Sequence, residues 1–249
     1  PLQLFRNSTF SLLLVISIMG GAIAIGMVNY LALFLQTTTG LSPSAAGLLF
    51  ILLTGGLVCG SLTAGRIISR TGRYKPFAIA SLTCSATAFA LLSQVHAGTP
   101  IAFIGAIMML HGIGIGLAQQ VPIIGVQNAA PARDVGAATG SVTLSRMGGA
   151  SIAISIYGAI IASGLGTVGI SIPGVADIEQ LTPKMMAALP EPSRQAVADI
   201  YAAAFSPLFM TSCAIALIGL VAAIMLKPVQ LPRAGETEKP QAATAEAAE

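Results

Sequence analysis

Long apolar runs alternate with short polar breaks along this chain. Six runs are long enough to cross a hydrocarbon layer, which takes about 20 helical residues. They are Phe10 to Leu31, Ala45 to Ala64, Phe77 to Val95, Ile101 to about Gly125, about Ala137 to Ala162, and Phe205 to Leu226. Lipid offers no partner to a backbone amide, so each run must pair its own peptide groups and is predicted to be a helix. The first run exceeds the apolar stretch of a secretory signal and has no small-residue cleavage site at its end, so it reads as a span. Local chemistry supports the breaks. Ser42-Pro43 is a helix start, Gly98-Thr99-Pro100 a tight turn, and Asp134 a helix-starting acid before span five. One connection is long, Ser163 to Ala204, and its last part from Ser193 reads as a helix, capped by Ser193, that leads into span six. The segment 233–249 is Ala, Glu, Thr and Pro, with too little apolar surface to fold, and is expected to be a disordered tail.

Composition sharpens this reading. Of the 249 residues, 55% are hydrophobic and 8% charged, with a mean hydropathy of +0.85. A soluble domain carries about 25% charged residues, so the apolar side chains here must face lipid. The predicted fold class is an all-α integral membrane protein, with six transmembrane helices within residues 1–232. The net charge of +3 gives no basic patch of the kind that binds nucleic acid, because the basic residues are dispersed among loops. Their distribution reports orientation instead. Arg6, Arg66, Arg70, Arg73, Lys75, Arg133, Lys227, Arg233 and Lys239 fall on one side, and only Lys184 and Arg194 on the other. Nine against two places both termini in the cytoplasm. Cys59, Cys84 and Cys213 are scattered through apolar runs without metal-ligand or disulfide spacing.

Helices in lipid associate through small residues. Candidate packing seams are Gly56-x-x-x-Gly60 in span two, Gly112-x-x-x-Gly116 in span four, and Gly148-Gly149 in span five, while Pro122 should bend span four.

The loop after span two reads Gly65-Arg66-Ile67-Ile68-Ser69-Arg70-Thr71-Gly72-Arg73-Tyr74-Lys75. It resembles the cytoplasmic signature of the major facilitator superfamily, G-x-x-x-D-R-x-G-R-R/K, at the place that family puts it. Gly65, Arg70, Gly72 and Arg73 match; Ser69 replaces the acid, and the last basic residue is displaced to Lys75. Leu4-Phe5-Arg6-Asn7, Val126-Gln127-Asn128-Ala129 and Ser145-Arg146-Met147-Gly148-Gly149 are similar to the fourteen-helix drug:proton antiporter branch. The resemblance extends to about Leu226. It implies the C-terminal six-helix half of a transporter, whose N-terminal six- or eight-helix half belongs to the same polypeptide, upstream of Pro1. It also implies a bacterial-type inner membrane, a small-molecule substrate exported by alternating access, and a proton gradient with no resident cofactor. None of the six runs contains Asp or Glu, and in this family the proton-carrying acids lie mainly in the first half.

Arg146 is the foremost candidate for chemistry. It falls about 16 Å along span five, where a charge is costly and rarely faces lipid. Thr143 and Tyr157 share its face. This face lines a cavity or meets the other half; in the alternative, Arg146 snorkels to the headgroups. Asn29 and Tyr30 end span one, beside the cavity or as an interfacial anchor. His111, Gln119 and Gln120 are the polar residues of span four, and His111 is either a hydrogen-bonded packing residue or a proton carrier. Arg66, Arg70, Arg73 and Lys75, with Gly65 and Gly72, either latch the cytoplasmic end or serve as a topology signal toward anionic lipid. No catalytic or metal constellation is present in the sequence. The alternatives to transport are a membrane fragment that only associates with a partner half and, more remotely, an intramembrane enzyme.

Overall fold

The computed structural model describes residues 2–166, 185 and 189–227. Regular structure among them is entirely helical. Helix α1 (Ser8–Gly21) continues through a π-helical turn (Ala22–Gly26) into α2 (Val28–Thr38). Then follow α3 (Pro43–Thr71), α4 (Lys75–Leu92), α5 (Ile101–Ala118), α6 (Val121–Ala129), α7 (Val135–Gly166) and α8 (Glu191–Met225). With α1–α2 and α5–α6 each counted as one span, these make six stretches long and apolar enough to cross a membrane.

The helix ends follow their residues. Asn7 caps α1 by accepting from the Thr9 amide, and Ser42 caps α3 by accepting from Ala45, with Pro43 in the first turn. Gly72 ends α3 at φ 68°, a left-handed conformation that favours glycine, and its amide returns to the Ile68 carbonyl. Asp134 directly precedes α7, but its carboxylate lies 3.6 Å from Arg133 Nε.

Four sequence expectations are revised. Span one is longer than expected and is interrupted by the π-helical turn. Span four is two helices, because its break falls at Gln119-Gln120 and Pro122 opens α6 instead of kinking a continuous helix. The connection between spans five and six shortens at both ends, as α7 reaches Gly166 and α8 begins at Glu191. Ser193 lies inside the first turn of α8, after Pro190 at the cap, and is not the cap itself. Asp177, Glu179, Lys184, Arg233, Lys239 and the tail 233–249 lie outside the described residues.

Two glycine seams hold the bundle. On α3 and α5, a Cβ at Gly56 would overlap the Met109 carbonyl oxygen, and one at Gly60 would crowd that of Ile113. Reciprocally, a Cβ at Gly112 would overlap the Leu53 carbonyl and one at Gly116 that of Leu57. The backbones touch over two helical turns, as small residues permit in lipid. The second seam joins α1 to α7, where a Cβ at Gly21 would strike the Arg146 carbonyl and one at Gly149 the Ile18 carbonyl. Gly148, expected in the same seam, instead lies exposed with no neighbour at the position of a Cβ.

Side chains fix the two ends of the bundle. Lys75 Nζ, at the start of α4, donates to the Ile224 carbonyl at 2.7 Å and to that of Leu226, so it closes the C-terminal end of α8. At the opposite end, Phe34 packs edge-on against Phe205 and Phe209, 5.3 and 5.0 Å away, and Ser206 Oγ donates to the Ser93 carbonyl. Outward-facing positions such as Leu48, Ile51, Leu62, Ile218 and Val221 are apolar and exposed, as a lipid-facing surface requires.

Candidate functional site

A cavity of about 480 Å³ opens among α1, the π-helical turn, α3, α4, the α5–α6 break and α7. Its walls are mainly aliphatic, from Ile16, Ile23, Leu53, Leu57, Leu82 and Ile115. Polar groups interrupt that wall at Ser17, Asn29, Ser81, Ser85, Gln119 and Arg146. Asn29 and its neighbours Ile25 and Val28 are exposed, so the cavity is open on their side.

Three of the polar residues share one depth. Ser85 is ten residues from the start of α4 at Lys75, Gln119 ten before the end of α6 at Ala129, and Arg146 eleven from the start of α7 at Val135. Those three helix ends face the same side of the bundle. At 1.5 Å per residue each group sits about 15–17 Å along its span from that end.

The Arg146 contact falls at the break in span four. Pro122 lacks the amide that would serve the Ala118 carbonyl, but Arg146 meets the next carbonyl along. The first turn of α6 begins with the Ile124 amide bonded to Gln120, and Arg146 Nη2 donates to the Gln119 carbonyl at 3.4 Å. Arg146 has no acidic partner among the described residues. Across the cavity, Ser85 is 1% exposed and its hydroxyl has no hydrogen-bond partner.

The remaining candidates lie off the cavity wall. Tyr157 is fully buried, its ring 5.6 Å from that of Tyr30, while Tyr30 donates to the Ile154 carbonyl at 2.8 Å. This pair closes the α1–α7 seam above Gly26, whose own Cβ position meets Ala153. His111 is buried with its ring 4.6 Å from Phe89 and within hydrogen-bonding reach of the Ile23 backbone in the π-helical turn; its Nδ1 has no partner. Gln120 is exposed at the head of α6, and Thr143 is exposed with its hydroxyl donating along α7 to Thr139. Sequence reasoning missed Ser81 and Ser85, because a serine inside an apolar run looks the same whether it packs or lines a cavity.

The basic loop divides as well. Arg66, Arg70 and Arg73 are exposed and form no ion pair among the described residues, so the contact that latches this end belongs to Lys75. Ser69, in the place of the signature acid, donates to the Arg66 carbonyl within its own helix. Tyr74, beside this loop, is buried, and burial pushes its phenol above the ordinary value.

Six apolar spans, with a cavity and a charged residue among them, define a multi-pass α-helical membrane protein. A family model described as Major Facilitator Superfamily matches residues 1–154, and the chain belongs to that superfamily, a family of transporters and not of enzymes. An MFS-type transporter of Mycobacterium tuberculosis is 30% identical over 239 residues, covering 93% of this chain and 34% of that protein. A tetracycline resistance determinant of Streptomyces rimosus is 34% identical over 67% of this chain and 48% of its own length. A multidrug transporter of Bacillus subtilis is 25% identical over 64% of this chain and 29% of its own length. The chain thus spans between 29% and 48% of the length of these relatives.

Proposed function

We propose that this chain is the C-terminal six-helix part of an efflux transporter that moves amphipathic compounds by alternating access, together with an N-terminal part of the same polypeptide. The observation that supports this most is the cavity. It is of ligand size, apolar in its walls, polar at mid-depth, and bounded by two interrupted spans. Interrupted helices at the membrane midplane are a common way to build a transport site. The printed names of the Streptomyces and Bacillus relatives, tetracycline resistance and multidrug transport, agree with export of such compounds.

In this reading the polypeptide sits in a bacterial-type plasma membrane with the Lys75–Leu226 end in the cytoplasm, and the proton gradient drives export. The proton-carrying acid lies outside this chain's six apolar runs, which hold neither Asp nor Glu. The test is dye or tetracycline accumulation in efflux-deficient bacteria that express the full polypeptide. The expected result is reduced accumulation that returns to the control level when the proton gradient is collapsed. Accumulation equal to the control, with protein present in the membrane, overturns the proposal.

A further inference from the structure

We infer that the cavity selects amphipathic organic anions, with Arg146 receiving the acid group. This rests on reading the cavity as the transport site.

Arg146 lacks a partner for most of its donors. A guanidinium holds its charge throughout the physiological range and offers five N–H donors. The structure engages one of them with a neutral carbonyl, at 3.4 Å, and supplies no carboxylate among the described residues. A charge at this depth needs compensation, and it faces a cavity and not another helix. The donor fork matches a carboxylate or sulfonate, which accepts two parallel hydrogen bonds. Ser85 borders the same cavity, but its hydroxyl is closed off from it and lies against Gly114 on α5. Around Arg146 the cavity wall is aliphatic, through Ile23, Leu53, Leu57, Leu82 and Ile115. The fitting ligand has one acid group on an apolar ring system. A volume of about 480 Å³ suits one such molecule.

Two probes isolate the charge. Anilinonaphthalene sulfonate and phenylnaphthylamine share their rings and differ by the sulfonate. Fluorescence titration of the purified full polypeptide should show the sulfonate binding at least about tenfold tighter than the neutral amine, as expected for a charge-assisted pair. Arg146→Gln should remove that preference, so that the two probes bind within about two-fold of each other. Arg146→Lys should keep most of the preference, which shows that the charge and not the shape of the side chain sets it. Equal affinity for the two probes in the wild type overturns the inference, and is the result expected if a carboxylate elsewhere in the polypeptide already neutralises Arg146. A preference that persists in Arg146→Gln overturns it too. Failure of the transport reading is separable: anion preference without export in cells keeps the site and loses the efflux function, whereas export without anion preference keeps efflux and loses this inference.

Discussion

The two glycine seams use the same chemistry for different ends. Between α3 and α5, Gly56, Gly60, Gly112 and Gly116 interlock reciprocally, backbone on backbone. Between α1 and α7 the glycine contact is shorter, with Gly21 and Gly149, and it is flanked by polar and irregular features. Arg146 lies in the same turn as Gly149, the π-helical turn follows Gly21, and Tyr30 bridges to Ile154. The first seam is a uniform weld. The second is a weld with chemistry built into it, and the cavity opens beside it. The lesson is that close helix contact leaves no room for side chains between backbones, while interruptions in the helices leave polar groups beside a cavity.

Substitution at the centre of the α3–α5 seam should have the largest effect on stability. Gly112→Ala places a methyl group on the Leu53 carbonyl and should cost about 1–3 kcal/mol through overpacking. Thermal unfolding in detergent measures this as a lowered midpoint, with Gly148→Ala, whose Cβ meets nothing, as the unaffected control. Gly149→Ala makes an equivalent clash with Ile18 in the shorter seam. It should lower the midpoint less than Gly112→Ala does and depress transport more, as a paired assay of the two variants would show. A larger stability loss at Gly149 than at Gly112 would break the comparison.

Smaller effects probe the contacts around the seams. Lys75→Met removes the donor that closes α8 and should cost about 1 kcal/mol. Replacing Arg70 and Arg73 together should leave the midpoint where it was, because they hold no partner among the described residues; a fall matching that of Lys75→Met would show a latch this account omits. Tyr30→Phe deletes one hydrogen bond to the Ile154 carbonyl and should cost about 0.5–1.5 kcal/mol.

Much of this arrangement was legible in the residues. Hydrophobic run length located all six spans, and the four-residue glycine spacings marked the glycines of α3 and α5 that make close contact, though not that these two helices pair. Both are local signals set by the geometry of one helix. The features that build the site are not local. The π-helical turn falls in Ala22–Gly26, a uniformly apolar stretch with no proline or polar residue to mark it. Pro122 announced an irregularity but not its position, which falls ahead of it at Gln119-Gln120. Lys75 was assigned to the basic loop, but its partners on α8 are 149 and 151 residues away. Gly148 and Gly149 are neighbours in sequence, and only the direction of α1 distinguishes the buried one from the exposed one.

The central claim is that Arg146 serves the transport site and not the fold or the membrane surface. Transport by the full polypeptide carrying Arg146→Ala, measured as drug accumulation in efflux-deficient cells alongside the amount of protein in the membrane, tests it most directly. The account predicts at least about a tenfold loss of transport with membrane protein at the wild-type level, the scale expected when a charged hydrogen-bonding partner is removed. Transport and protein level both unchanged would contradict it, and would return Arg146 to the role of a side chain reaching for the headgroups.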